Sequence, residues 1–228
     1  MTDDERPTTA DRAWLADWRR RVAELYAEVR AIAADDPPTA WEAWRRERET
    51  LYRTHPQSPV PAAERDAFRA RHWPYDDRLR WTVAIERAPA PTTAAAPGAP
   101  FGGLAIAPVE LPNSGAESPA FDRIGVVRLP LPDGDATLPL FWMRGYAGGL
   151  FLPFLDATNG TETYGAGRYL LDTAKSADLG GDPASGTIVV DANFAFQPSC
   201  AFDPRWACPL AGPESRIPAR IEAGERLR

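Results

Sequence analysis

The sequence predicts an α+β protein: N-terminal helices packed on an antiparallel β-barrel or β-sandwich, finished by an irregular C-terminal tail. Three observations lead there. Between Leu15 and Leu51 the apolar residues recur at spacings of three and four, the period of an amphipathic helix. From Arg80 onward the pattern changes to short apolar runs divided by Asp-Gly, Asn-Gly and Gly-Gly breaks, which are hairpin signals. No helical period separates those runs, so the βαβ alternation of a parallel sheet is missing.

Taken in order, residues 1–10 read as a disordered N-terminus and 11–72 as the helical part. The first helix starts at Asp11 and carries Leu15, Trp18, Val22, Leu25, Val29 and Ile32 on one core-facing stripe. It ends before Asp35-Asp36-Pro37-Pro38, where two prolines forbid continuation. A second helix is expected from Thr39, with Glu42 completing a capping box and Trp41, Trp44 and Leu51 on its buried side. Residues 62–71 predict one further short helix. The β-rich body spans 73–228. Its strands are expected near 80–86, 103–110, 123–130, 137–143, 149–154, 167–172 and 187–192, and the whole chain reads as one structural unit. Within it, residues 88–100 (APAPTTAAAPGAP) are low-complexity and predict an exposed loop.

Composition excludes several function classes. The chain of 228 residues is 44% hydrophobic and 25% charged, ordinary for a globular protein. Its net charge of −6 argues against nucleic acid, whose phosphates require clustered cations. Lys175 is the single lysine, and the remaining 25 cationic residues are arginines. No apolar run approaches the roughly 20 residues needed to cross a bilayer, so no membrane partner is expected. The acidic, polar start MTDDERPTTADR is no secretory signal, and the expected address is the cytoplasm. With Cys200, Cys208, His55 and His72 as the whole complement of soft ligands, no metal and no cofactor is expected.

Candidate chemistry concentrates in Leu150–Arg226. In Thr163-Tyr164-Gly165-Ala166-Gly167-Arg168-Tyr169, two glycines precede a strand, and their amides beside Arg168 could hold an anion. A tight hairpin with a structural arginine explains the same residues. Alternation places Val189, Asp191 and Asn193 on one strand face, and Val190, Ala192, Phe194 and Phe196 on the other. If Arg168 lies on the neighbouring strand, an Arg168–Asp191 pair follows, either as a register-fixing ion pair or as part of a ligand site. Asp156, Asp172 and Asp191 close three apolar runs, but their spacing matches no recognised metal loop. Cys200 and Cys208, with seven residues between them, could be small buried hydrophobes or a disulfide. A nucleophilic Cys200 would need a base, and both histidines lie far upstream. Glu214 follows Cys208-Pro209-Leu210, where the tail should lie against the sheet.

These motifs carry a resemblance. The succession Pro153-Phe154, Asp156, Thr158, Gly160, Thr163 to Leu170, then Asp191, Asn193, Ala195, Pro198 and Cys200-Ala201, then Trp206, Cys208-Pro209-Leu210, Glu214, Arg216 and Ala223-Gly224-Glu225 resembles the family called domain of unknown function 1684. The earlier WPYDDRLRW resembles the entry to that family's sheet. Ala192 stands where the family usually has Phe, Ser199 where it has Pro, and Ser215 where it has Asn. The resemblance implies an uncharacterised bacterial or archaeal protein with a helical start and a β-rich body; it brings no activity and says nothing about a cofactor.

The functional expectation is a domain that binds a small anionic or polar molecule. Tyr164, Gly165, Gly167, Arg168 and Asn193 would hold the ligand. The enzyme alternative is a cofactor-independent hydrolase or isomerase with Asp191 or Glu214 as general base. A structural or interaction protein is the third reading. The sequence leaves oligomeric state and ligand identity open.

Overall fold

The computed structural model describes residues 7–86, 106–116 and 119–227. Two helices lead. α1 (Thr9–Ile32) begins two residues ahead of the expected Asp11, because Thr8 caps it: Asp11 N–H donates to Thr8 Oγ1 at 3.1 Å, and the Asp11 carboxylate accepts from Thr8 N–H at 2.8 Å. Of the expected disorder over 1–10, residues 1–6 lie outside the described residues, and Thr9 and Ala10 belong instead to the helix. α2 (Pro37–Thr54) likewise begins earlier than Thr39. Asp36 is its cap, accepting from Thr39 N–H at 3.1 Å, and Pro37-Pro38 fill the first turn, where a missing N–H costs nothing. The stripe on α1 buries only its C-terminal half: Leu25, Tyr26 and Val29 are buried, whereas Leu15 is exposed. α2 buries Trp41, Trp44 and Leu51 as its period requires. The helix expected over 62–71 shrinks to a single 3₁₀ turn, Ala62–Glu64.

The strands are short and antiparallel throughout: β1 (Arg71–His72), β2 (Arg80–Ala84), β3 (Ala107–Val109), β4 (Phe121–Leu129), β5 (Ala136–Met143), β6 (Gly149–Phe154), β7 (Arg168–Asp172), β8 (Gly181–Asp182), β9 (Thr187–Asp191) and β10 (Glu225–Arg226). They form three sheets, in the orders β3-β4-β5-β6-β7, β2-β9-β8 and β1-β10. The barrel expectation is therefore corrected. Among the described residues the five strands do not close on the three: β2 packs against β4, but the backbone bridge to β4, Glu86–Val126, comes only past the end of β2. The loop expected over 88–100 lies outside the described residues.

The meander β4-β5-β6 follows from its turns. Asp133-Gly134 and Gly148-Gly149 separate strands whose alternation matches the observed register. Pro153, which cannot donate to the ladder, sits where the β6–β7 register shifts. On β5, Leu138, Leu140 and Trp142 share one face; Leu138 and Leu140 meet Val83, Ile188 and Val190 of the smaller sheet in the main core. β9 is covered on its other face as well: Val189 and Phe194 pack into the helical cluster of Val29, Trp41 and Trp44. The order is thus helices, small sheet, large sheet, with β9 in the middle.

β1–β10 returns the tail to the helices. His72 pairs with Glu225 in register and meets the edges of Trp41 and Trp44 at 6.3 and 5.6 Å. Its Nε2 is buried with no hydrogen-bond partner. Burial pulls the imidazole pKa down to about 4, with Arg45 and Arg48 adding to the effect and Glu225 and Glu49 opposing it. The unfolded imidazole takes its proton near pH 6.5, so the folded chain refuses a proton that the unfolded chain accepts across pH 4–6.5. That stability is present above the unfolded value and is lost as pH falls through the window. His72→Phe should keep about 2 kcal/mol more of its pH 7 stability at pH 4.5 than the parent does, read by urea unfolding at both pH values. Parallel losses in the two proteins would show that His72 does not set the slope.

Candidate functional site

The expected polar residues do not assemble into one open site. Asp191 ends β9 completely buried. Its Oδ1 accepts from Asn193 N–H at 2.9 Å and from Asn193 Nδ2 at 2.8 Å; its Oδ2 accepts from Arg80 Nη1 at 3.1 Å and from the Tyr75 hydroxyl at 3.3 Å. Burial raises the Asp191 pKa, and the Asn193 and Arg80 contacts work against it. Asn193 lies in a 3₁₀ turn, Ala192–Phe194, not in the strand. Its amide holds the turn before β2 at both ends: Oδ1 accepts from Asp76 N–H and Nδ2 donates to Asp76 O, each at 2.8 Å. The Asn193 carbonyl accepts from Trp41 Nε1 at 2.9 Å. The helices and Tyr75 therefore cover the face that alternation left open to a ligand.

Arg168 is also completely buried, and its partner is not Asp191. β7 pairs with β6, whereas β9 pairs with β2 and β8, so the Arg168–Asp191 ion pair does not form. Arg168 donates to the carbonyls of Ile221 at 2.9 Å and Glu225 at 3.2 Å, to that of Ala223, and to Asp156 Oδ1 at 3.4 Å. Its guanidinium lies over the rings of Trp73 and Phe154. Asp156 Oδ2 accepts from Ile221 N–H at 2.8 Å. Each of the three aspartates thus has its own cation: Asp156 with Arg168, Asp172 with Lys175, Asp191 with Arg80. Among the described residues no group of three or more His, Cys, Asp or Glu is placed to hold a metal.

The glycines before β7 serve backbone geometry. Gly167 has φ 98°, and a Cβ there would sit 2.6 Å from Phe154 O. Its N–H is already donated to Tyr164 O at 3.0 Å, so it is not free for an anion. Gly165 is exposed in the turn, and Glu214 is exposed on the tail. Tyr164 is half-buried, and its phenol faces Cys200; burial and that contact push its pKa up to about 12.

Two features escaped the sequence. The first is the carboxylate of Glu225, buried on β10, which accepts from Arg48 Nε at 2.5 Å and from Gln197 N–H at 2.7 Å. Burial raises the Glu225 pKa, but Arg48, His72 and Gln197 outweigh it and hold the carboxyl below its usual range. The second is an open groove of about 830 Å³ between the two larger sheets. Ile124, Trp142 and Leu150 line it from the large sheet, and Ile85 and Ile188 from the small one, with Arg30, Asp122 and Asp178 also at its wall. Register explains one wall: Asp122, Trp142 and Leu150 are direct cross-strand partners and share a face. Their alternating pattern was visible in the sequence, but not the second wall that faces them.

Arg168→Met should destabilise the fold by about 3–5 kcal/mol, because it leaves Asp156 buried without its cation and three tail carbonyls without a donor. Chemical unfolding measures the loss. A cost below 1 kcal/mol would mean that the tail does not depend on this guanidinium.

No match is found among curated proteins. Among solved structures the chain is similar to the solution NMR structure of an uncharacterized protein from Haloarcula marismortui, with 25% identity and a TM-score of 0.56, covering 83% of this chain and 93% of that one. Among the described residues no helix is long and apolar enough to cross a membrane. Residues 68–226, from just before β1 through β10, match the family described as Protein of unknown function (DUF1684), and the chain belongs to that family.

Proposed function

We propose that the protein binds a small, largely apolar molecule in the groove between its two larger sheets. The observation that carries this reading is the groove itself. Its volume of about 830 Å³ lies within the roughly 300–1,000 Å³ range of small-molecule sites, and the surface it offers is mainly apolar, with Ile85, Ile124, Ile188, Leu150 and Trp142 in its walls. Trp142 stands on the same face of β5 as the core residues Leu138 and Leu140, yet is 41% exposed. The groove is the unfilled end of the space whose other end is core. A planar or aliphatic ligand laid on Trp142 would continue that packing.

The polar ligand first expected at Tyr164, Gly165, Gly167, Arg168 and Asn193 draws less support, because the chain's own groups already occupy Arg168, Asn193 and the Gly167 amide. The enzyme alternative loses ground for the same reason at Asp191, and Glu214 has no enclosed site around it.

The test uses the anionic aromatic probe 1-anilinonaphthalene-8-sulfonate on the folded protein. It should bind with a stoichiometry near one, and at a hundredfold excess over its Kd it should raise Tm by roughly 5–10 °C. Trp142→Ala and Leu150→Arg should each weaken binding at least tenfold while circular dichroism stays that of the parent. No binding, or binding indifferent to both substitutions, would overturn the proposal.

A further inference from the structure

The two cysteines sit together, although the ligand groove does not involve them. Cys200 lies in a 3₁₀ turn, Ser199–Ala201, and Cys208 follows one loop later. The Cys200 N–H donates to Cys208 Sγ at 3.4 Å, which sets the two residues in contact. Both are free thiols. The loop between them is held in place: Cys208 N–H donates to Ser114 Oγ at 2.8 Å, and Ser114 N–H donates to the Cys208 carbonyl at 3.0 Å. The Tyr169 hydroxyl donates to the neighbouring Pro209 carbonyl.

The two thiols are not equivalent. Cys200 is 9% exposed and Cys208 2%. The Cys200 thiol has Cys208, the Ser114 hydroxyl and the Tyr164 phenol as its polar neighbours. The contact with Cys208 pulls the Cys200 pKa below the usual thiol value, aided by Ser114 and Tyr164 and opposed by burial; the same contact and burial push Cys208 up, against the Cys200 N–H donated to its sulfur. Cys200 is thus the more accessible thiol and the one drawn toward the thiolate, and Cys208 is in contact with it.

We propose that Cys200 and Cys208 form a peroxide-reactive dithiol, in which Cys200 is oxidised first and Cys208 converts it to an intramolecular disulfide. In the first step the Cys200 sulfur attacks one oxygen of a hydroperoxide. The S–O bond forms, the O–O bond breaks, and the leaving oxygen takes a proton to depart as water or an alcohol. In the second step the Cys208 sulfur attacks the sulfenic sulfur. The S–S bond forms, the S–O bond breaks, and the hydroxide leaves as water with the Cys208 proton. The dithiol loses two electrons, and one peroxide gains them. Thiol contact means that the second step needs only local adjustment of the loop 201–207.

The experiment treats the reduced, full-length protein with hydrogen peroxide under native conditions and follows intact mass and cysteine-labelled peptides. The parent should lose two hydrogens and both free thiols together. Cys208→Ser should instead gain one oxygen, trapped on Cys200 by dimedone, and Cys200→Ser should react at least tenfold more slowly. Tyr164→Phe should slow the first step several-fold. Persistence of both thiols in the parent under conditions that oxidise free cysteine would overturn the proposal, and it needs no variant to fold. Equal reactivity of the two single variants would overturn the assignment of Cys200 as the attacking thiol.

Discussion

A buried guanidinium holds this structure together. Arg168 lies at the start of β7 with no exposure to water, and an ion of that size left unpaired in a protein interior costs several kcal/mol. Its position therefore requires acceptors, and the chain supplies them from one source: the carbonyls of Ile221, Ala223 and Glu225, with Asp156 for the charge. Those three carbonyls alternate along an otherwise irregular tail. Gly224, at φ 75° and pressed against the Ala195 carbonyl, lets the tail pass this close to the loop after β9. The tail then reaches β10, pairs with β1, and places Glu225 against Arg48 of α2. One cation thus fixes the route by which the end of the chain meets its beginning.

β9 is the second organising element, because both of its faces are covered. Ile188 and Val190 face the large sheet, and Val189 faces the helices. A strand buried on two sides can carry polar groups only where they are satisfied internally. Asp191 and Asn193 meet that condition at the strand's end. Asp191 closes the turn that stops β9 and takes Arg80 from β2, while Asn193 captures both backbone groups of Asp76. The same residues that look like an acid–amide pair poised for a ligand are the joint between β2, β9 and the turn before them.

The local features of the fold were legible, because they depend on neighbours in sequence. The helical period, the Asp-Gly and Gly-Gly breaks and the strand alternation all act over a few residues; β4 to β7 and β9 fall within two residues of their expected limits, whereas the two-residue β8 was not expected. The helix starts were misread for a local reason: Thr8 with Asp11 and Asp36 with Thr39 are caps that lie just outside the apolar period. Sheet order was not legible. Whether Arg168 neighbours Asp191 or Asp156 depends on which strands pair across long connections, and hydrophobic alternation carries no such information. Partners such as Arg48–Glu225 and Trp41–Asn193, each more than a hundred residues apart, are invisible for the same reason. The groove was unreadable because its two walls belong to different sheets.

The distribution of polar groups separates scaffold from function. Arg168 (through Nη1 and Nη2, though not its buried Nε), Asp156, Asp191, Asn193 and Glu225 meet partners supplied by the chain, and releasing one to a ligand would leave its counterpart buried and unpaired. Binding at such a position would have to detach the tail or open the joint at β9, at a cost of several kcal/mol that a small molecule could recover only through unusually strong contacts. A ligand meets no such penalty in the groove, where Trp142 is already exposed and the apolar walls gain from leaving water. Nor does a peroxide at Cys200, whose chemistry consumes no structural pair. The residues that most resembled a site in the sequence are therefore the ones the fold cannot release, and reactivity is left to surfaces where the chain has not already satisfied itself.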